Sequence, residues 1–283
     1  MPSVLITGAS RGIGHAAAKA FAEAGWDLLL VSRSDAALQS LQSELSALGI
    51  RVVHQAIDLT DSTAIAPGIE TLLSQGLRPS VLINNAGVYL AKRIETVDGY
   101  EQTFAVNHMA YFLVCRGLLD LLKAANNARV VNVSSFGHRL GSTHLDDYNF
   151  ERRRYSPMMA YCASKLMNIQ FTRHLASRLE DDGITVNCLH PGMVRSGFAV
   201  SQKDAFALLT RMSGVFLVSP ERGARTSIHL ASSPDVAAIT GAYFRGLKAV
   251  KPSRNARDPE QAAALWTLSE SLIKYDSNSS PSV

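Results

Sequence analysis

Tyr161 and Lys165 stand four residues apart in Tyr161-Cys162-Ala163-Ser164-Lys165. On a helix that interval puts a phenol and an ammonium on one face, one turn apart. A phenol, with an ordinary pKa of about 10, exchanges protons efficiently only when brought closer to neutrality, and a neighbouring cation does that. The pair gains meaning from its company. Ser134-Ser135 closes the strand ahead of this helix, and Asn84-Asn85-Ala86-Gly87 closes another; parallel sheets present ligands at such carboxyl ends. Asn107 lies among Val106, Met109 and Phe112, an apolar stretch where an amide needs a polar partner. Phenol, amine, hydroxyl and amide together suit proton transfer. Strand alternation alone does not choose between Ser134 and Ser135.

A second constellation lies at the start of the chain. Thr7-Gly8-Ala9-Ser10-Arg11-Gly12-Ile13-Gly14 sits where the first strand passes into the first helix. Glycines there permit a tight turn, close approach of backbone N–H groups to a pyrophosphate, and close helix–strand packing. The helix N-terminus adds partial positive charge. No Lys-Ser/Thr pair follows the last glycine, which excludes a Walker-type phosphate loop. The second strand ends Val31-Ser32-Arg33-Ser34, with no carboxylate before Asp35, whereas NAD sites place an acid there for the ribose 2′-hydroxyl. Arg33 and Arg11 suit a 2′-phosphate instead. NADPH is expected over NADH.

The elements that position these groups alternate along the chain. Strands are predicted at Val4–Ile6, Leu28–Val31, Val52–Ile57, Val81–Ile83, Arg129–Val133, Ile184–Leu189 and Ala242–Phe244. Helices are predicted over Gly12–Ala24, Ser34–Leu48, Ile65–Leu73, Tyr100–Ala125, Met158–Glu180 and Glu221–Leu230. In the second of these, Leu38, Leu41, Leu45 and Leu48 recur at steps of three and four, and Gly49 ends it. The alternation implies right-handed βαβ crossovers and a mostly seven-stranded parallel sheet with helices on both faces, an α/β single domain over residues 1–250. Residues 251–283 form an extension with one helix, Pro259 to Lys274 capped by Asp258, and a polar tail expected to be disordered.

Composition narrows the class. The 283 residues carry 28 basic and 24 acidic side chains, a net charge of +4, with 47% hydrophobic and 18% charged residues. That excludes a disordered chain. A surplus of four charges gives no basis for nucleic-acid binding. No run reaches the roughly 18 apolar residues of a membrane span, and the start lacks a signal-peptide pattern. Cys115, Cys162 and Cys188 form no metal-type pair or disulfide framework, and read as small core residues in a reducing compartment. The eight histidines show no metal spacing. A cytoplasmic protein without a metal is expected.

The order of these motifs resembles the short-chain dehydrogenase/reductase family over nearly the whole length. The shared features are the turn at residues 7–14, Asp58, Asn84–Gly87, Asn107, Ser135, Tyr161 with Lys165, and Pro191-Gly192. The resemblance implies a Rossmann fold and assigns roles. Tyr161 is the general acid or base at the substrate oxygen, and Ser135 hydrogen-bonds that oxygen. Lys165 lowers the phenol's pKa and binds the nicotinamide ribose, and Asn107 holds a water that relays protons from Lys165. Asp58 serves the adenine end, Asn85 and Ala86 the adenosine ribose region. The backbone from Pro191 to Val194 serves the carboxamide, and Ser196 replaces the more usual threonine near the phosphates. The family pattern favours Ser135 over Ser134.

Twenty-five residues separate Ser135 from Tyr161. This length, His190-Pro-Gly and Leu265 to Glu270 resemble the retinol dehydrogenase and WW-domain oxidoreductase branch, which implies a small apolar ketone, aldehyde or alcohol as substrate. The insert, 136–157, contains the charge run Glu151–Arg154, read as a solvated loop, with an anionic-substrate clamp as the sharper alternative. A substrate lid is expected over 193–218. Phe136, His138, Phe198, Phe206, Met212 and Phe216 are candidates to line its pocket. The expected activity is NADPH-dependent carbonyl reduction, reversible as alcohol oxidation. The rivals are an NAD-linked alcohol dehydrogenase and a non-catalytic NADPH-binding regulator. Family members often form homo-oligomers, and the insert bears on whether this chain does.

Overall fold

The computed structural model describes residues 1–192, 194 and 218–273. Its strands are β1 (Ser3–Thr7), β2 (Asp27–Ser32), β3 (Val52–Ala56), β4 (Val81–Asn84), β5 (Arg129–Val133), β6 (Thr185–His190), β7 (Tyr243–Arg245) and β8 (Lys248–Ala249). They form one sheet in the order β3-β2-β1-β4-β5-β6-β7-β8. The first seven are parallel, as their separation by helices requires. β8 is an addition to the expected seven: it folds back antiparallel on β7, pairing Phe244 with Ala249. Two residues are too short a run to carry a periodic signal.

Chain order reverses between β1 and β4. From β1 the sheet grows outward through β2 and β3, then resumes on the other side with β4. The crevice at the carboxyl ends of these two strands is where doubly wound sheets bind ligands. Both the glycine turn and Asn84–Gly87 open onto it.

Side-chain alternation divides the core into two layers. Leu5, Leu29, Leu82 and Val130 face one layer, with Ile69, Leu118 and Phe171 from the covering helices. Val4, Ile6, Leu30 and Val131 face the other, with Phe21, Leu38 and Leu230. The helices on the first face are α3 (Ser62–Ser74), α4 (Gln102–Ala124) and α5 (Pro157–Arg178). Those on the second are α1 (Gly12–Glu23), α2 (Asp35–Ser46) and α6 (Pro220–Ser232). α4 is apolar and long enough to cross a bilayer, but most of it is buried within the fold. Its second turn, Ala105–Met109, is a π-helical segment, the widened geometry that recurs at functional sites. Asn107 sits in it.

The insert folds as two short 3₁₀ turns, Phe136–Leu140 and Leu145–Asp147. Asp147 ties its far end together. It accepts from the backbone N–H groups of Glu151 (2.8 Å) and Arg152 (3.1 Å) and from the Arg153 guanidinium (2.7 Å). These partners hold its carboxyl far below the usual carboxylate range. Arg152 pairs with Asp146, and Arg153 lies over the Phe150 ring. The charge run is exposed at Glu151, Arg152 and Arg154, as the solvated-loop reading expects, and is tied to the fold through Arg153 and Asp147.

The extension packs onto the domain through α7 (Pro259–Ser271). Asp258 caps it as expected, accepting from Glu260 and Gln261 N–H. Trp266 stacks on Phe171 and meets Phe112 edge-on. All three cysteines are free and buried. Most of the expected lid, with Phe198, Phe206, Met212 and Phe216, lies outside the described residues, as do Ser196 and the polar tail. Val194 and Val218, near its two ends, pair in an isolated parallel bridge.

Candidate active site

The glycine turn folds tightly enough to leave the first turn of α1 open. Gly8 and Gly12 adopt φ of +70° and +59°, the left-handed region that favours glycine. At Gly14 a Cβ would stand 2.4 Å from the Gly8 carbonyl oxygen and 2.6 Å from Asn85 Nδ2. Thr7 locks this turn to the end of β4: its Oγ1 accepts from the N–H groups of Asn85 (3.0 Å) and Ala86 (3.1 Å). Asn85 Nδ2 returns the link by donating to the Thr7 carbonyl (2.9 Å). Arg11 occupies the N-cap position of α1 with no side-chain cap. The helix's leading N–H groups, with Ser10, Gly12 and Ile13 around them, thus have no side-chain acceptor, which suits an anion.

Arg11 and Arg33 are both exposed. The first carboxylate beyond β2, Asp35, is drawn 3.3 Å from His54 Nε2. The end of β2 therefore presents a cation and no acid. Asp58 is exposed beyond β3, and one of its oxygens accepts from Thr60 N (3.0 Å) and Thr60 Oγ1 (2.9 Å). The open turn with its exposed neighbouring arginines fits the pyrophosphate of a dinucleotide.

At the carboxyl end of β5 the two serines separate. Ser134 is buried, and its Oγ donates 2.7 Å to the Lys165 carbonyl, fastening the strand to α5. Ser135 Oγ accepts from Gly137 N (3.2 Å) and is hydrogen-bonded to the Tyr161 hydroxyl. Ser135 is the serine that meets the phenol. Tyr161 also packs edge-on to Tyr89, ring centroids 5.8 Å apart.

Lys165 is buried, and its Nζ donates 3.0 Å to the Val133 carbonyl oxygen. It lies 5.6 Å from the Tyr111 ring centroid and 5.8 Å from that of Tyr161. Burial disfavours the ammonium and brings its pKa down to about 7. Burial also pushes the Tyr161 phenol up to about 12, against a smaller lowering by the Ser135 hydrogen bond. The amine stands beside the phenol ring, and desolvation is the largest influence on each group.

Asn107 is committed to protein partners. Its Oδ1 accepts from Val88 N (2.7 Å), and its Nδ2 donates to Val88 O (3.0 Å) and Ser164 Oγ (2.9 Å). Ser164 in turn donates to the Tyr161 carbonyl (2.8 Å). The amide thus joins the segment after β4 to the helical turn that carries the phenol. Pro191 and Gly192 follow β6 on the same rim, with Gly192 at φ +89°.

One expectation about the pocket changes. Phe136 is exposed at the rim, its ring beside His190 (centroids 6.2 Å) and under the Arg139 guanidinium; His138 is fully buried and hydrogen-bonded within the fold, so it lines no pocket. Sequence reasoning also missed three supports. Thr7 belonged to the turn, yet its hydroxyl's bridge to β4 spans 78 residues. Ser164 and Tyr111, whose hydroxyl donates to Ala86 O at 2.8 Å, lie in helix positions that read as ordinary packing.

Residues 2–205 match the short chain dehydrogenase family. Human retinol dehydrogenase 13 is 36% identical over 286 residues, covering 98% of this chain and 86% of that protein. A solved structure of an uncharacterized protein from Mycobacterium Paratuberculosis superposes with a TM-score of 0.75 at 30% identity, covering 96% of this chain and 93% of the other. A short chain dehydrogenase from Burkholderia cenocepacia J2315, solved in complex with NADP, gives 0.68 at 27% identity over 86% of this chain and 95% of the other. A serine–tyrosine hydrogen bond beside a buried lysine, on the rim that also holds an open glycine turn, is thus joined to near full-length relatives, and the chain belongs to the short-chain dehydrogenase/reductase family of oxidoreductases.

Proposed function

We propose that this protein reduces the carbonyl of an apolar aldehyde or ketone with NADPH, and oxidises the corresponding alcohol in reverse. The observation that carries the reading is the Ser135–Tyr161 hydrogen bond at the carboxyl edge of the sheet. A bound nicotinamide supplies the hydride. Ser135 directs a hydroxyl at the substrate oxygen and stabilises the negative charge that grows on it. Tyr161, kept neutral, gives its proton to that oxygen, because an alkoxide is a far stronger base than a phenolate. Lys165, when it carries charge, stabilises the phenolate that this transfer leaves at Tyr161. Asn107, bonded to Val88 and Ser164, holds the helical turn that carries Tyr161 and Lys165 against the segment after β4.

Arg11 and Arg33, with Asp35 turned to His54, support NADPH over NADH. The name of the relative, retinol dehydrogenase, supports an apolar primary alcohol or aldehyde as the substrate class. The test is absorbance at the reduced-nicotinamide band with retinaldehyde, benzaldehyde and a series of apolar ketones, using each cofactor. NADPH should be preferred about tenfold or more, and Arg33→Asp should remove that preference. Cofactor binding without turnover of any carbonyl would make the protein a binding module. An equal or better rate with NADH would make it NAD-linked.

Cofactor affinity should depend on pH through Lys165. An anionic dinucleotide favours the ammonium form, while burial holds the free protein's amine near 7. Affinity is then greatest where the lysine is already charged, below about pH 7. It weakens by up to about tenfold per unit as pH rises above that value, because binding must take up a proton. NADPH fluorescence titrations between pH 6 and 9 read this slope. Lys165→Met should flatten it.

A further inference from the structure

The Ser135–Phe136 peptide bond is held at both ends by imidazoles. Its carbonyl oxygen, on Ser135, lies 2.7 Å from His138 Nδ1. Its N–H, on Phe136, donates 3.1 Å to His190 Nδ1. A carbonyl oxygen only accepts, so His138 Nδ1 carries a hydrogen; an N–H only donates, so His190 Nδ1 does not. The far side of His138 agrees, since its Nε2 accepts from Ser253 N at 3.2 Å. The two rings are therefore neutral and in opposite tautomers.

Each imidazole is anchored by a different part of the fold. His138 is fully buried, its ring edge-on to Tyr243 at 4.8 Å. His190 is the last residue of β6, in register with Arg245 of β7. Burial lowers the pKa of both, with Arg139 contributing at His138, and Arg245 and His138 at His190; His190 falls to about 4. Both rings thus stay neutral through the physiological range.

We propose that His138 and His190 are positioning residues for Ser135: one donates to the carbonyl and the other accepts from the N–H of the peptide that carries it, and together they aim its hydroxyl at the reacting oxygen. With this peptide held at both ends, the turn that places Ser135 Oγ between the Gly137 N–H and the Tyr161 hydroxyl is fixed. Loss of either imidazole bond lets Ser135 and Gly137 shift relative to Tyr161. The inference rests on the reading of Ser135 as the partner of the substrate oxygen.

The test separates hydrogen bonding from packing. In asparagine the side-chain amide sits where Nδ1 does; in glutamine it sits where Nε2 does. His190→Asn keeps the acceptor for Phe136 N–H, while His190→Gln and His190→Leu lose it. With NADPH and retinaldehyde, His190→Gln and His190→Leu should lower kcat about five- to twentyfold with NADPH affinity unchanged, and His190→Asn should restore most of it. His138→Asn should likewise outperform His138→Leu. In a Ser135→Ala background the same substitutions should cost nothing further, because they act through the missing hydroxyl.

Additive losses in that background, or full kcat in His190→Gln, would overturn the proposal while leaving the role of Ser135 intact. Full activity of Ser135→Ala would overturn the site reading itself. If the leucine variants fail to fold, the asparagine and glutamine pair still decides. An activity-independent readout is the ¹⁵N spectrum of the wild-type rings: Nδ1–H at His138 and Nε2–H at His190 are expected, and the reverse at either ring breaks the arrangement.

Discussion

Tyr161→Phe should lower kcat for retinaldehyde reduction by about 10²–10⁴-fold, the usual worth of a positioned proton donor. NADPH affinity should change little, because the lost hydroxyl serves the substrate oxygen and Ser135. The ring itself is retained, so its edge-on packing against Tyr89 survives, and thermal stability should stay within a few degrees of wild type. Since the phenol is pushed up to about 12, the wild-type reductive rate should show no loss from deprotonation of Tyr161 across pH 6–9. A Phe variant that retained its rate would remove Tyr161 from the chemistry altogether.

Gly14→Ala should weaken NADPH binding by more than tenfold and lower Tm by several degrees. The added Cβ has nowhere to go: 2.4 Å to the Gly8 carbonyl oxygen, 2.6 Å to Asn85 Nδ2. The nearer obstacle is backbone, so the turn itself must move. Overpacking of this kind costs about 1–3 kcal/mol, and here the displaced atoms include the link from Asn85 to Thr7 that joins β1 to β4. Gly25→Ala, at a glycine with open space around it and away from this turn, is the control for NADPH binding. Isothermal titration with NADPH and a thermal melt read the two effects, and normal binding by Gly14→Ala would separate this turn from the dinucleotide.

How much of this was legible from residue order differs from place to place, for physical reasons. Asp58 and Asn85 follow strands, and Tyr161 and Lys165 stand one turn apart on the helix after the next strand, so the rim they share could be anticipated. Ser134 and Ser135 could not be separated that way. Alternation says that they point oppositely, but only α5's position shows that Ser134 meets the Lys165 carbonyl. His138 reads as pocket lining from sequence because its partner, Ser253, lies 115 residues on. The proximity of Lys165 to Tyr161 is readable from a spacing of four, but the desolvation that acts on both depends on everything packed around the pair. The π-helical turn at Asn107 follows from bonds to Val88 and Ser164, and neither is local.

The catalytic helix is pinned at its own turn. Ser164 and Lys165 are tied to Asn107, Val133 and Ser134, none of which belongs to the insert. The insert from Ser142 to Arg154 is gathered around Asp147, and Gly141 lies flat against the Cys162 carbonyl where it leaves the helix. The stretch between the serine and the tyrosine is nonetheless bound to the helix that carries Asn107: Asn149 accepts from Glu101 N–H and donates to Gly99 O, both at 2.9 Å, and the Tyr148 ring lies 4.7 Å from that of Phe104. Retargeting the molecule toward new carbonyl compounds should therefore spare Asp147 to Phe150 and vary the exposed Ser142, His144 and Arg154, which leaves its chemistry as it is.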